Sequence, residues 1–138
     1  MQGGKRMKEI SELKLPDNVK YSEDHEWIRP ADGKALIGIS DYAQEQLGDI
    51  VYVELPDIGS TFKKGEAFGI VESVKAVSDL YMPVGGEILS SNTALEDSPE
   101  LVSSKPYDEG WMIEIKLTDV TEPDSLMSRD AYIELLKG

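Results

Sequence analysis

The sequence predicts a mainly β domain: an all-β sandwich or flattened barrel, decorated by short helices and closed by one helix at the C-terminus. Three observations carry that expectation. Short apolar or alternating runs recur along the chain, glycine and proline turn signals separate them, and a stretch with helical spacing follows the last run. At 138 residues the chain has room for one domain with a real core and too little for two. Residues 1–18 lack periodicity and end at Pro16 and Asp17, so they read as a flexible lead-in able to settle on the domain surface. Residues 19–138 read as the single domain.

Glu26 to Arg29 reads as a strand, and Pro30 to Gly33 as a turn in which Gly33 supplies permissive φ. Lys34 to Ile39 returns as the second strand. Ser40 or Asp41 caps a short helix over Tyr42 to Leu47, and Gly48 ends it as a C′ glycine does. Ile50 to Glu54 is a strand, with turns at Pro56 to Gly59 and at Lys63 to Gly65. After Pro83, Gly85 and Gly86, the run Glu87 to Ser90 resumes as a strand. Asp97 to Glu100 resembles a capped first helical turn with Pro99 near N1, reaching Val102. Trp111 to Leu117 is the last strand. Glu122 to Ser125 signals helix entry, and the apolar spacing through Leu136 predicts a closing helix broken near Ser128.

Between those elements lies the stretch on which a function is centred. Ala67 to Val71 and Val77 to Met82 read as two strands joined at Lys75. Neither Asn-Gly nor Asp-Gly closes this hairpin, so Val74, Lys75 and their neighbours turn in an ordinary negative-φ geometry such as type I. The lysine then stands at a protruding tip. No cationic neighbour or burial is in sight to make it a Schiff-base or general-base lysine. Two readings remain open from the residues alone: a solvated turn lysine, or a handle that another enzyme modifies.

Composition narrows the classes. Fourteen Lys plus Arg against 27 Asp plus Glu give a net charge of −13, which disfavours nucleic acid and anionic membranes and favours partners with basic docking faces. The chain has no cysteine, which excludes disulfides, thiol nucleophiles and thiolate metal sites. The sole histidine, His25, cannot build a multi-histidine metal site and reads as a structural ring hydrogen-bonded within the first hairpin. Trp27 and Trp111 read as anchors of the core or its rim. Gly85-Gly86 is a backbone device, since no helix or P-loop lysine follows. No apolar run approaches the roughly 20 residues that span a bilayer. The opening MQGGKRMKEI shows neither a signal-peptide core nor a transit-peptide pattern, and Met7 offers an alternative start. Bacterial cytoplasm is the expected location, or the mitochondrial matrix for a mature eukaryotic form.

The hairpin GIVESVKAVSDLYMPVGGEI resembles the lipoyl-lysine hairpin of the glycine cleavage system H protein family. Further blocks resemble it in order: YSEDHEWI at 21 to 28, GISDYAQEQLGDIVYVELPDIG at 38 to 59, ALEDSPELV, and PYDEGWMIEIKL. Biotin carriers usually flank their lysine with methionines, and 2-oxo acid dehydrogenase lipoyl domains commonly place Asp before it, whereas here the flanks are Val74 and Ala76. The resemblance spans about residues 19 to 136. Acidic residues before HEW and Gly85 depart from the pattern, and neither touches the lysine.

The resemblance implies a lipoyl/biotinyl-type barrel-sandwich hybrid with lipoate amide-linked to Lys75. It implies a carrier that catalyses no step itself. The arm shuttles an aminomethyl intermediate from the P protein (glycine decarboxylase) to the T protein (aminomethyltransferase), and presents the dithiol to the L protein (dihydrolipoyl dehydrogenase). Lipoate attachment enzymes would be further partners. The residues matching those that hold the loaded arm are Glu26 and Asp79, with Asp24 a weaker match. Two other functions stay open: an H-like carrier serving lipoyl relay or sulfur metabolism, and an unmodified β interaction module.

Overall fold

The computed structural model describes residues 9 to 138. Nine strands follow in chain order: β1 Lys20–Tyr21, β2 Glu26–Ala31, β3 Lys34–Ile39, β4 Ile50–Glu54, β5 Thr61–Phe62, β6 Ala67–Ser73, β7 Val77–Tyr81, β8 Gly86–Ser91 and β9 Ile113–Leu117. Four α-helical segments accompany them: α1 Asp41–Leu47, α2 Ala94–Asp97, α3 Leu101–Ser104 and α4 Arg129–Leu136. One sheet has the order β1-β2-β3-β9-β8-β5, the other β4-β6-β7, and every pairing is antiparallel. The mainly β expectation, with short helices and a C-terminal helix, is what the structure has.

Strand alternation divides the interior in two. Ile28 joins a large core between the sheets with Ile37, Val53, Val71, Leu80, Ile88 and Ile115, while its neighbour Trp27 faces the other way. There Trp27 packs with Tyr21, Tyr107 and Tyr132 in a second, aromatic cluster beneath α4. Both tryptophans anchor as expected: Trp27 is fully buried and donates from Nε1 to Pro106 O at 2.9 Å, and Trp111 sits at that cluster's edge. A Cβ on Gly38 would stand 2.7 Å from the Trp27 ring, so the indole needs a glycine on the adjacent strand.

Several boundaries differ from the sequence reading, each for a local reason. The first turn is only Asp32 and Gly33, at φ 56° and 79°, with Ala31 opposite Lys34. Two consecutive left-handed residues make a type I′-like hairpin, which matches strand twist, so Pro30 stays in β2 opposite Ala35. β1 and β5 are too short to show a period, and the sequence reading missed both. The helical turn placed over Asp97 to Val102 is instead two segments, α2 and α3, flanking Pro99. Ile113 rather than Trp111 opens β9. Near the C-terminus a 3₁₀ turn over Glu122–Ser125 precedes α4, whose N-cap Ser128 accepts from Ala131 N–H, so the break falls where expected.

Of the lead-in, residues 1 to 8 lie outside those described. The part before β1 does settle on the domain, through specific bonds. Leu15 is buried in the aromatic cluster, Lys14 N–H donates to Asp41 Oδ2 at 2.8 Å, and Leu15 O accepts from Arg129 Nε at 2.7 Å.

Candidate functional site

Lys75 stands on the β6–β7 hairpin, beyond the last paired residues Glu72 and Val77. The turn keeps negative φ as expected, since His25 and Asp32 are the only described non-glycine residues with positive φ. Its closure is different from a type I turn. Ser73 Oγ accepts from Lys75 N–H at 3.2 Å and Ala76 N–H at 3.1 Å, while Ser73 N–H donates to Ala76 O at 2.8 Å. A side-chain hydroxyl thus stands in for a backbone acceptor. Val74 N–H donates to Asp49 O at 3.0 Å and fastens the tip to the loop after α1. Val74, Lys75, Ala76 and Val77 are all exposed, and Lys75 makes no ion pair among the described residues.

The lysine stem leans towards the end of α1. A Cβ on Gly48 would meet Lys75 Cε at 3.6 Å, and Gly48 itself has φ 81° and ψ −158°, a backbone conformation that favours glycine and ends the helix. A cleft of about 170 Å³ runs between α1 and β7, with Leu47 and Ser78 as its lining residues nearest in sequence to Gly48 and Lys75. Tyr42, Ala43, Gln46 and Leu47 form its helical wall, Ser78, Asp79 and Leu80 the strand wall, and Asp24, His25 and Glu26 its far end. A larger cleft of about 270 Å³ lies beyond Asp24, near Lys64 and Met127, but no residue of α1 or β7 lines it.

All three carboxylates singled out in the sequence therefore meet in one cleft. Their environments differ. Asp24 and Asp79 are exposed, and Asp79 Oδ2 accepts weakly from Tyr81 Oη at 3.4 Å. Glu26 is 2% exposed. Its Oε1 accepts from Ser22 Oγ at 2.7 Å and its Oε2 from Tyr81 N–H at 3.2 Å, a backbone donor on the free edge of β7. Burial pushes the Glu26 carboxyl up to about 8, against the pull of its two hydrogen bonds. A cation arriving in the cleft would meet a group whose charge lacks a counter-charge.

His25 is held, but not within the first hairpin. Its Nδ1 lies 2.8 Å from Tyr132 Oη on α4, and Tyr132 Oη lies 2.8 Å from Ser40 Oγ, the N-cap of α1. Desolvation lowers the pKa of the ring, outweighing the charge of Asp24. Sequence reasoning missed this wiring because Tyr132 is 107 residues from His25. It also missed the helical wall, for which a signal existed: Tyr42, Ala43, Gln46 and Leu47 recur at one-face spacing on α1.

The residues fit a covalently attached lipoyl group: an unpaired, exposed lysine, a groove walled by the strand that follows it, and polar side chains at the groove's far end. A family model described as "Glycine cleavage H-protein" matches residues 19–138. The glycine cleavage system H protein of Brevibacillus brevis is 52% identical over 125 residues, covering 91% of this chain and 99% of that protein. That of Bacteroides thetaiotaomicron is 49% identical over 126 residues, covering 91% and 100%. The crystal structure of a glycine cleavage system H protein from Mycobacterium marinum superposes with a TM-score of 0.82 at 38% identity, covering 90% of this chain and all of that one. With its matched residues forming the two sheets, the lysine turn and the cleft beside it, this chain belongs to the glycine cleavage H-protein family.

Proposed function

We propose that this chain is the lipoyl carrier of a glycine cleavage system, with lipoate joined as an amide to Nζ of Lys75. The observation that carries the reading is one exposed lysine at the tip of a hairpin whose second strand, β7, walls a cleft lined by a buried carboxylate. When attached, the lipoyl group supplies a dithiolane that accepts and returns cargo at sulfur as it is reduced and reoxidised. Every other contribution comes from the chain. The Ser73 hydroxyl organises an exposed tip, from which the arm can enter a partner's active site, where tethering gives effective concentrations of roughly mM. The Lys75 stem passes beside Gly48 at the end of α1.

Glu26, with Asp79 and Asp24 at the cleft's margins, receives the positively charged amine of the aminomethyl cargo. An ammonium beside Glu26 supplies the missing counter-charge, draws its pKa down and expels its proton. Held that way, the amine stays protonated and its lone pair is unable to expel sulfur. Among the described residues no group of three or more His, Cys, Asp or Glu is placed to hold a metal ion; in this reading the chain is a carrier that leaves catalysis to others. Its partners in this reading are the P, T and L proteins and the enzymes that attach lipoate, met through basic docking faces that suit a net charge of −13. The relatives named above are bacterial, and no described helix is long and apolar enough to cross a membrane. We place the carrier in the cytoplasm.

Intact mass and peptide mapping after expression with lipoate and its attachment enzymes test the reading. One lipoyl amide on the peptide containing Lys75, absent from Lys75→Arg, is expected. An unmodified Lys75 under those conditions would overturn it and favour a plain interaction module.

A further inference from the structure

The proton count around His25 points to a role for its second ring nitrogen, resting on the carrier reading above. Ser40 is fully buried, and its Oγ accepts from Ala43 N–H at 3.2 Å. Its own proton needs an acceptor, and Tyr132 Oη at 2.8 Å is the one in reach. Tyr132, also fully buried, is then free to donate only onward, to His25 Nδ1 at 2.8 Å. Hydrogen bonds therefore run in one direction, Ser40 to Tyr132 to His25, and Nδ1 is the acceptor. The ring's proton is on Nε2.

Among the described residues that nitrogen has no hydrogen-bond partner, nor is it a sealed, unsatisfied atom. It opens onto accessible space, and the cleft shared with Asp24 and Glu26 is the space that His25 lines. The ring is held between Tyr42 at 4.8 Å and Tyr132 at 5.7 Å between centroids, on a backbone with φ 70°. Adding a proton at Nδ1 would reverse the whole chain and leave the Ser40 hydroxyl without an acceptor. Tyr42 and Tyr132 flank the ring, and Asp24, Glu26 and Asp79 face the same cleft, so carboxylates alone supply charge there.

We propose that His25 is an arm-binding residue: Ser40 and Tyr132 hold it as the neutral Nε2–H tautomer, and that N–H donates to the sulfur end of the carried arm. The division of labour follows from chemistry. A terminal ammonium can only donate, so Glu26 receives it. The adjacent sulfur can only accept, and His25 comes immediately before Glu26 in the chain. A neutral donor also orients sulfur without offering it a proton as a leaving group, which an imidazolium would do. Ser40 and Tyr132 are positioning residues that act through the ring.

Because His25 is the sole histidine, ¹⁵N spectra of the full chain show a single imidazole. The expected result is an Nε2–H tautomer in the wild type and a mixed one in Tyr132→Phe. The Nε2 resonance should shift between unmodified protein and the lipoylated, aminomethyl-loaded form. His25→Asn, which suits positive φ and keeps a group near Nδ1 while losing the Nε2 donor, should release the cargo about threefold faster. A wild-type ring protonated at Nδ1, or an Nε2 resonance identical in the unmodified and loaded forms, would overturn the proposal. Intact mass on the same samples separates the two readings: lipoyl on Lys75 with an unmoved ring sinks only this inference, whereas no lipoyl on Lys75 sinks both.

Discussion

The lysine tip and the far end of the cleft are two halves of one candidate site, and they are built on opposite principles. At the tip, four consecutive residues from Val74 to Val77 are exposed, and a single serine hydroxyl organises the turn. At the far end, Glu26 is buried under bonds from Ser22 and Tyr81, and His25 is tied through Tyr132 to the cap of α1. The tip works by being reachable, so water should set its chemistry. At the cleft's end Glu26 works by being shielded from water, so desolvation sets its chemistry. The comparison teaches that a carrier needs both: a lysine that any partner can approach, and a shelter whose electrostatics are strong because solvent is thin there.

The sharpest way to break the contrast is at the tip. Lys75→Arg keeps the charge and removes the acylable amine, so loss of lipoyl incorporation and of carrier activity should be complete while the melting temperature stays put, as mass and calorimetry would show. A fall in melting temperature would mean that the tip carries structural strain after all.

Glu26→Gln tests the other half. Retention of the aminomethyl cargo should fall by about tenfold, the scale of one charge-assisted hydrogen bond. The ratio between mutant and wild type should widen from pH 6 to 8, as the carboxyl becomes available in anionic form. Stability runs the other way. With its folded pKa raised to about 8, Glu26 binds a proton in the native state that the unfolded chain has already released above about pH 4.5. Its contribution is therefore full below that pH and is lost as pH rises towards 8. Denaturation of wild type and Glu26→Gln across pH 5 to 9 should converge or cross by at most about 1.4 kcal/mol per pH unit, and flatten above 8. A constant difference would show Glu26 ionised throughout.

Smaller effects refine the comparison. Tyr132→Phe leaves His25 Nδ1 without its donor and Ser40 without its acceptor, and should cost about 1 to 2 kcal/mol in chemical denaturation. Ser73→Ala strips the acceptor from two backbone donors next to solvent and should cost about 1 kcal/mol or less. Its clearer sign would be faster amide exchange at Lys75 and Ala76 alone.

Much of the molecule was legible in the order of residues. The strands either side of Lys75, the Ser40 cap with Gly48 closing α1, and the break at Ser128 all rest on neighbours a few positions apart, where local stereochemistry is strong. The Asp32-Gly33 turn was legible too, and the preceding proline masked its true length. β1 and β5 were beyond reach, because two residues carry no period. The place of the lysine at a hairpin tip was legible, but its reading as a modified handle, like the role of the three carboxylates, came only through resemblance to a family.

By itself the sequence determined the β pattern, the lysine tip and a strongly acidic surface, since propensity, turn chemistry and charge are properties of short stretches or of composition. Only the tertiary structure decided that Glu26 is a buried acid while Asp24 and Asp79 stay in water. It alone joined α1 to β7 as the walls of one cleft, and brought Tyr132 across 107 residues to fix the tautomer of His25. The physical reason is that desolvation and proton direction depend on what surrounds an atom in space, and a strand's pattern says which face is buried without saying what is packed against it.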